Sequence, residues 1–155
     1  PLPGFKSWLD KHLAVGDKDL LNANDRKALK MLGGKSSGAK GKLKALLEDA
    51  ACLDNPEVSE ALQGVLTRLA AQYLAQEKRR EGDLRAIDPV AHFHLSNGAR
   101  IQRLNWKGDT SAKGFGQSAG LMVNYLYKLR HLESNHEAYR SSGKVVISSA
   151  LRSLL

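Results

Sequence analysis

Two histidines, His92 and His94, stand two residues apart in Asp88-Pro89-Val90-Ala91-His92-Phe93-His94-Leu95-Ser96-Asn97-Gly98. An imidazole titrates near neutral pH, so either could act as a general acid or base. The spacing argues against a shared metal. Helical positions i and i+2 point to different faces, and metal pairs on helices use i, i+3 or i, i+4. On a strand the two would share a face, but no Cys or carboxylate follows at ligand spacing, so no metal site is expected. The polar and turn residues around the pair strengthen the acid–base reading. Gly114-Phe115-Gly116-Gln117-Ser118-Ala119-Gly120 has the glycine density of a phosphate loop. It lacks the Gly-Lys-Ser/Thr ending and reads as a turn between strands. No serine stands in Gly-x-Ser-x-Gly, and no paired carboxylates accompany the histidines. Cys52, the single cysteine, can form neither an internal disulfide nor a zinc site by itself.

The chain that must position these groups has 155 residues, 42% of them hydrophobic, with 24 Lys+Arg against 16 Asp+Glu. That is enough apolar material for one core and too much for a disordered tail. No stretch approaches the ~18 uninterrupted apolar residues of a membrane span, and no signal-peptide core opens the chain. A cytoplasmic protein without membrane contact is the expectation. The net charge of +8 invites a nucleic-acid reading. The densest basic run, from Arg26 to Lys44, carries no acid but is rich in glycine and serine. No aromatic residue interleaves with its cations, as a single-strand binder would require. The run reads in part as a solvated loop, and a nucleic-acid partner is not expected.

Helical spacing links Phe5, Trp8, Leu9 and Leu13. Asn24 can cap a second short helix that Gly33-Gly34 stops. Leu43, Leu46, Leu47 and Ala50 form another apolar face. Asn55-Pro56 starts a long helix running to about Arg80, ended by Gly82. Asp88-Pro89 repeats that start signal, and Gly98 sits where a C′ glycine would, giving a helix over 89–97. Residues 99–106 read as a strand, and 108–116 as a glycine-rich loop. The apolar run Leu121–Tyr127 reads as a second strand, antiparallel to the first. Residues 144–155 read as a last helix. Two lone strands make a poor sheet, and the chain opens Pro1-Leu2-Pro3-Gly4 without Met. Both features lead to the expectation that further strands lie in an upstream part of the same polypeptide.

The segment 88–99 resembles the C-terminal region of malonyl-CoA decarboxylases. So do Arg103-Leu104-Asn105-Trp106-Lys107-Gly108-Asp109-Thr110-Ser111 and Ser118-Ala119-Gly120-Leu121-Met122-Val123-Asn124-Tyr125-Leu126-Tyr127. Pro1-Leu2-Pro3-Gly4-Phe5 with Trp8-Leu9 is similar to the family's segment just after a core strand. The resemblance covers nearly the whole chain. It is specific over 86–127 and looser in the helical part.

It implies an α+β fold, the C-terminal part of an N-acetyltransferase-like catalytic domain. A helical segment (1–85) would be followed by a part with a short antiparallel strand pair and terminal helix (86–155). It implies a carboxy-lyase converting malonyl-CoA to acetyl-CoA and CO2, without metal or organic cofactor, on a coenzyme A thioester. By motif position the catalytic histidine is His94. Tyr127, and less directly Asn124, are candidates for lining the substrate site. The family's catalytic serine and its main CoA-binding segment precede the Pro-Gly-Phe segment. The chain alone is therefore expected to be inactive and to need the upstream part of its polypeptide, in an enzyme that is a homo-oligomer. The competing reading is a small basic nucleic-acid-binding module using Lys35, Lys40, Lys42 and Lys44, or a helical interaction module.

Overall fold

Capping chemistry sets where most of the helices begin. The computed structural model describes residues 1–34 and 38–155. Helix α1 (Phe5–Ala14) buries Phe5, Trp8, Leu9 and Leu13, the stripe that the sequence shows. Helix α2 (Ala23–Met31) is capped by Asn22 rather than Asn24. The Asn22 side chain accepts from the Asp25 backbone N–H, and the Asp25 carboxylate accepts from the Asn22 N–H. This reciprocal box needs an acid three residues on, and only Asn22 has one. Helix α3 (Gly38–Leu46) carries Lys40, Lys42 and Lys44, so much of the basic run is helix rather than loop. The burial of Leu43 overrides the glycine-rich composition. Lys35, Ser36 and Ser37, within the expected basic loop, lie outside the described residues.

Helix α4 (Pro56–Ala75) starts as its signal dictates, with Asn55 Oδ1 accepting from the Val58 N–H at 3.1 Å and Pro56 in the first turn. It stops at Ala75, short of the expected Arg80. No apolar residue continues its stripe beyond Leu74, and Lys78 instead pairs with Ala86 in an isolated bridge.

Helix α5 (Pro89–Ser96) leads into strand β1 (Arg100–Asn105), which pairs antiparallel with β2 (Met122–Leu126), as the sequence predicts. A register irregularity lies between Ile101 and Arg103. The connection between the strands is not the plain loop or turn expected. It contains helix α6 (Ala112–Ser118), whose Ser111 cap accepts from the Gly114 N–H at 3.0 Å. Gly114 is needed because a Cβ there would meet the Asp109 carboxyl at 2.2 Å. The Ser118 hydroxyl, buried, both accepts from the Leu2 N–H and donates to the Leu2 carbonyl, each at 3.1 Å. These bonds fasten the chain's first residues beneath the strand connection.

Helix α7 (Leu132–Ser142) has no counterpart in the sequence reading. Its signal was present in Leu132, Asn135 and Tyr139 at helical spacing, followed by Gly143. The expected final helix from 144 is shortened to α8 (Ser149–Arg152). Val145-Val146-Ile147 is extended instead, as a β-branched run prefers. It docks on β1: the Ile101 N–H donates to the Val146 carbonyl at 2.9 Å, and the Ser148 N–H donates to the Ile101 carbonyl at 3.0 Å. The architecture is α+β, with one hydrophobic cluster running from Leu2 through α4 to Leu151. No helix among the described residues is long and apolar enough to cross a membrane.

Candidate functional site

Helix α5 is held by a carboxylate with no exposed surface. Asp88 Oδ1 accepts from the backbone N–H groups of Val90 and Ala91 at 3.0 and 2.9 Å, and its Oδ2 accepts from the Tyr73 hydroxyl at 3.1 Å. Burial pushes the Asp88 carboxyl above its usual range, although these bonds pull it down. The same contact carries the Tyr73 phenol well above the ordinary value, burial first and the Asp88 charge second. A long-range pair thus links α4 to the start of α5.

So anchored, α5 lies against both β1 and α7 and sends its two histidines to different neighbours. His94 meets strand β2. Its Nδ1 is 2.7 Å from the Tyr127 hydroxyl, and its ring stacks on Tyr125 with centroids 4.2 Å apart and planes 19° from parallel. Tyr125 and Tyr127 fall on one face because side chains alternate along a strand. Two tyrosines two residues apart therefore fix one imidazole, one through its ring face and the other through an edge nitrogen. Nε2 of His94 has no hydrogen-bond partner among the described residues and is left for an outside group. Burial holds the His94 pKa below its ordinary value, which favours the neutral ring at neutral pH.

The Tyr125 hydroxyl is buried without a hydrogen-bond partner among the described residues. Burial and the nearby Asp88 charge push its pKa far above the phenol range. Its ring is the surface on which His94 stacks. Asn124, one residue along β2, sits on the opposite strand face and hydrogen-bonds the Asn105 side chain. The structure thus brings His94 and Tyr127 together and leaves Asn124 on the other side of the ribbon. His92 turns instead to α7, where its Nδ1 meets the Tyr139 hydroxyl at 2.8 Å.

Tyr125 was legible in principle, since alternation puts it on Tyr127's face. Tyr73 was not, because nothing local to α4 announces a partner fifteen residues on. Among the described residues no three His, Cys, Asp or Glu side chains gather as metal donors. A cavity of about 760 Å³ between α2, α4 and the C-terminal residues, lined in part by Met31, Val65 and Leu154, lies apart from His94.

An imidazole with one nitrogen tied and the other open, on an α+β frame, has the geometry that an acid–base group needs. The whole chain, residues 1–155, matches the malonyl-CoA decarboxylase C-terminal domain, and it belongs to that family. It is 38% identical over 160 residues to the mitochondrial malonyl-CoA decarboxylase of Rattus norvegicus, matching all of this chain and 32% of that protein. The corresponding protein of Anser anser anser is 36% identical, with 31% of it covered. Among solved structures, the malonyl-CoA decarboxylase of Rhodopseudomonas palustris superposes with a TM-score of 0.81 at 40% identity, over 100% of this chain and 32% of that one. That of Agrobacterium vitis gives 0.79 at 40% identity, over 99% and 34%. The chain spans about a third of the length of the curated relatives that it matches.

Proposed function

We propose that the chain contributes the C-terminal part of the catalytic domain of a malonyl-CoA decarboxylase, with His94 as its catalytic residue. The observation that carries this reading is the fixed imidazole: Nδ1 held by Tyr127, the ring stacked on Tyr125, and Nε2 open.

In the reaction the bond between the α-carbon and the carboxylate breaks, and its electron pair passes onto the thioester carbonyl. The carbonyl is the electron sink, so the chemistry calls for no metal or organic cofactor. Hydrogen-bond donors stabilise the enolate-like charge as CO2 leaves. A proton then reaches the α-carbon, giving acetyl-CoA. His94 Nε2 positions the malonyl carboxylate or delivers that proton. Tyr127 holds the ring and lines the site.

The frame is read as part of an N-acetyltransferase-like fold, a helical segment over 1–85 and the strands and helices of 86–155 belonging to one catalytic domain. Strand β2 supports this: its described ladder partner is β1 alone, which leaves its other edge for a further strand. The upstream part of the polypeptide supplies the catalytic serine and the main CoA-binding segment, and the assembled enzyme is a homo-oligomer.

The test is acetyl-CoA formation from malonyl-CoA by three preparations: the full-length polypeptide, the 155 residues alone, and the 155 residues co-expressed with the upstream part. Turnover by the first and third, with none by the second, is expected. A full-length polypeptide that leaves malonyl-CoA intact would overturn the reading.

A further inference from the structure

The other face of α5 holds a second cluster that the decarboxylation does not use. His92 and Ser96 on α5 face His136, Tyr139 and Arg140 on α7 across a cavity of about 380 Å³, with Arg85 also on its lining.

The hydrogen-bond partners favour one placement of the imidazole protons. The Tyr139 hydroxyl accepts from the Ala86 N–H at 2.8 Å, so its single proton is free to go to His92 Nδ1, also at 2.8 Å. With that proton given to it, and the Ser96 hydroxyl also 3.4 Å away, Nδ1 of His92 is an acceptor and the neutral ring carries its proton on Nε2. Burial, with Arg79 and Arg85 close by, holds the His92 pKa below its ordinary value, in keeping with the neutral ring. His136 Nδ1 lies 2.6 Å from the Ser96 carbonyl oxygen, which only accepts, so that nitrogen bears hydrogen. In that arrangement His92 keeps an Nε2–H with no acceptor among the described residues.

The charge around the cavity is positive. Asp83 neutralises Arg85 through a close pair, 2.8 Å from Nη2 to carboxylate, and Arg80 reaches the same carboxylate at 3.9 Å. Arg140 has no ion-pair or hydrogen-bond partner for its guanidinium among the described residues. A planar guanidinium and a neutral imidazole N–H, both without acceptors on one small cavity, are donors arranged for an oxyanion.

We propose that this cavity binds a small phosphate- or carboxylate-bearing anion, held by Arg140 and by the Nε2–H of His92. His94 is not among the residues that line this cavity.

The experiment is titration calorimetry on the full-length polypeptide with inorganic phosphate, and separately with malonate, at fixed ionic strength against chloride. Three variants are compared with the parent: Arg140→Gln, His92→Asn and His94→Gln. The expected result is saturable binding of at least one anion. Arg140→Gln and His92→Asn should each weaken it about tenfold, and His94→Gln should leave phosphate binding unchanged. Arg140→Gln removes only an exposed, unpaired charge, so it tests the site even if His92→Asn disturbs folding through Tyr139. Tighter binding of phosphate marks a tetrahedral ligand, and tighter binding of malonate a carboxylate. Three results would overturn the proposal: no binding of either anion, equal affinity in Arg140→Gln, or loss of phosphate binding in His94→Gln alone.

Discussion

Replacing Tyr127 with Phe removes one oxygen and leaves everything else that fixes His94. The hydroxyl lies 2.7 Å from His94 Nδ1, while the Tyr125 stack at 4.2 Å is untouched. Tyr127 is partly exposed, so its bond is worth the ordinary net value of about 0.5–1.5 kcal/mol. If that bond orients the ring in the transition state, kcat falls about two- to tenfold. The midpoint of thermal unfolding should hardly move, because water can replace the hydroxyl at an exposed edge. The assay is steady-state decarboxylation of malonyl-CoA by the full-length polypeptide, with kcat and KM separated and unfolding followed in parallel. A pH profile adds a readout that structure alone would not move. Without the tie to Nδ1 the ring samples both tautomers, and the acid limb of kcat should shift. An unchanged kcat would refute the orienting role. A loss as large as that from removing His94 would refute it in the other direction, making Tyr127 itself a reacting group.

Asp88→Ala should lower unfolding stability by about 2–4 kcal/mol, the sum of a lost helix cap and a stranded buried Tyr73 hydroxyl; denaturant unfolding measures it, and a change below about 0.5 kcal/mol would contradict the anchoring of α5. Gly98→Ala should cost about 3 kcal/mol by the same measurement, because the residue has φ +82° and a Cβ would lie 2.3 Å from the Leu132 carbonyl oxygen. His92 and His94 both have lowered native pKa values. Just below the ordinary imidazole pKa of about 6.5 the unfolded chain therefore binds protons that the native state does not. Stability should rise with pH across that window and be lost as pH falls from about 6.5 through the native values. Asp88, whose native pKa is raised, contributes the opposite slope at lower pH. Replacing both histidines with Gln should flatten the neutral window, and an unaltered slope in denaturation curves between pH 5 and 7 would count against the burial argument.

The local signals that held were those with a mechanism confined to a few residues. Asp88-Pro89 and Asn55-Pro56 each pair a capping oxygen with a proline that needs no hydrogen-bond acceptor, and both start helices where expected. The strands expected over 99–106 and 121–127 form as β1 and β2, a residue shorter at each end. The errors came where tertiary contact decides. Helix α6 forms in a glycine-rich segment because Phe115 is buried and Ser118 is tied to Leu2, 116 residues away. Val145–Ile147 extends because β1 offers it backbone partners. The site shows the same division. His94 and Tyr127 were carried by family resemblance, and their contact across 33 residues needed the fold. Tyr125 as the stacking surface needed it too. The basic run offered as a nucleic-acid surface proves largely helical, with Leu43 in the core and the Lys40 ammonium donating to the Asp17 carbonyl.

The catalytic role of His94 is tested by kcat for malonyl-CoA decarboxylation by the full-length polypeptide carrying His94→Asn, with folding verified by its unfolding midpoint. A positioned acid–base group contributes about 10²–10⁴-fold. The expected result is a loss of ~100-fold or more in kcat with the midpoint little changed. A folded variant that turns over at the wild-type rate would contradict it.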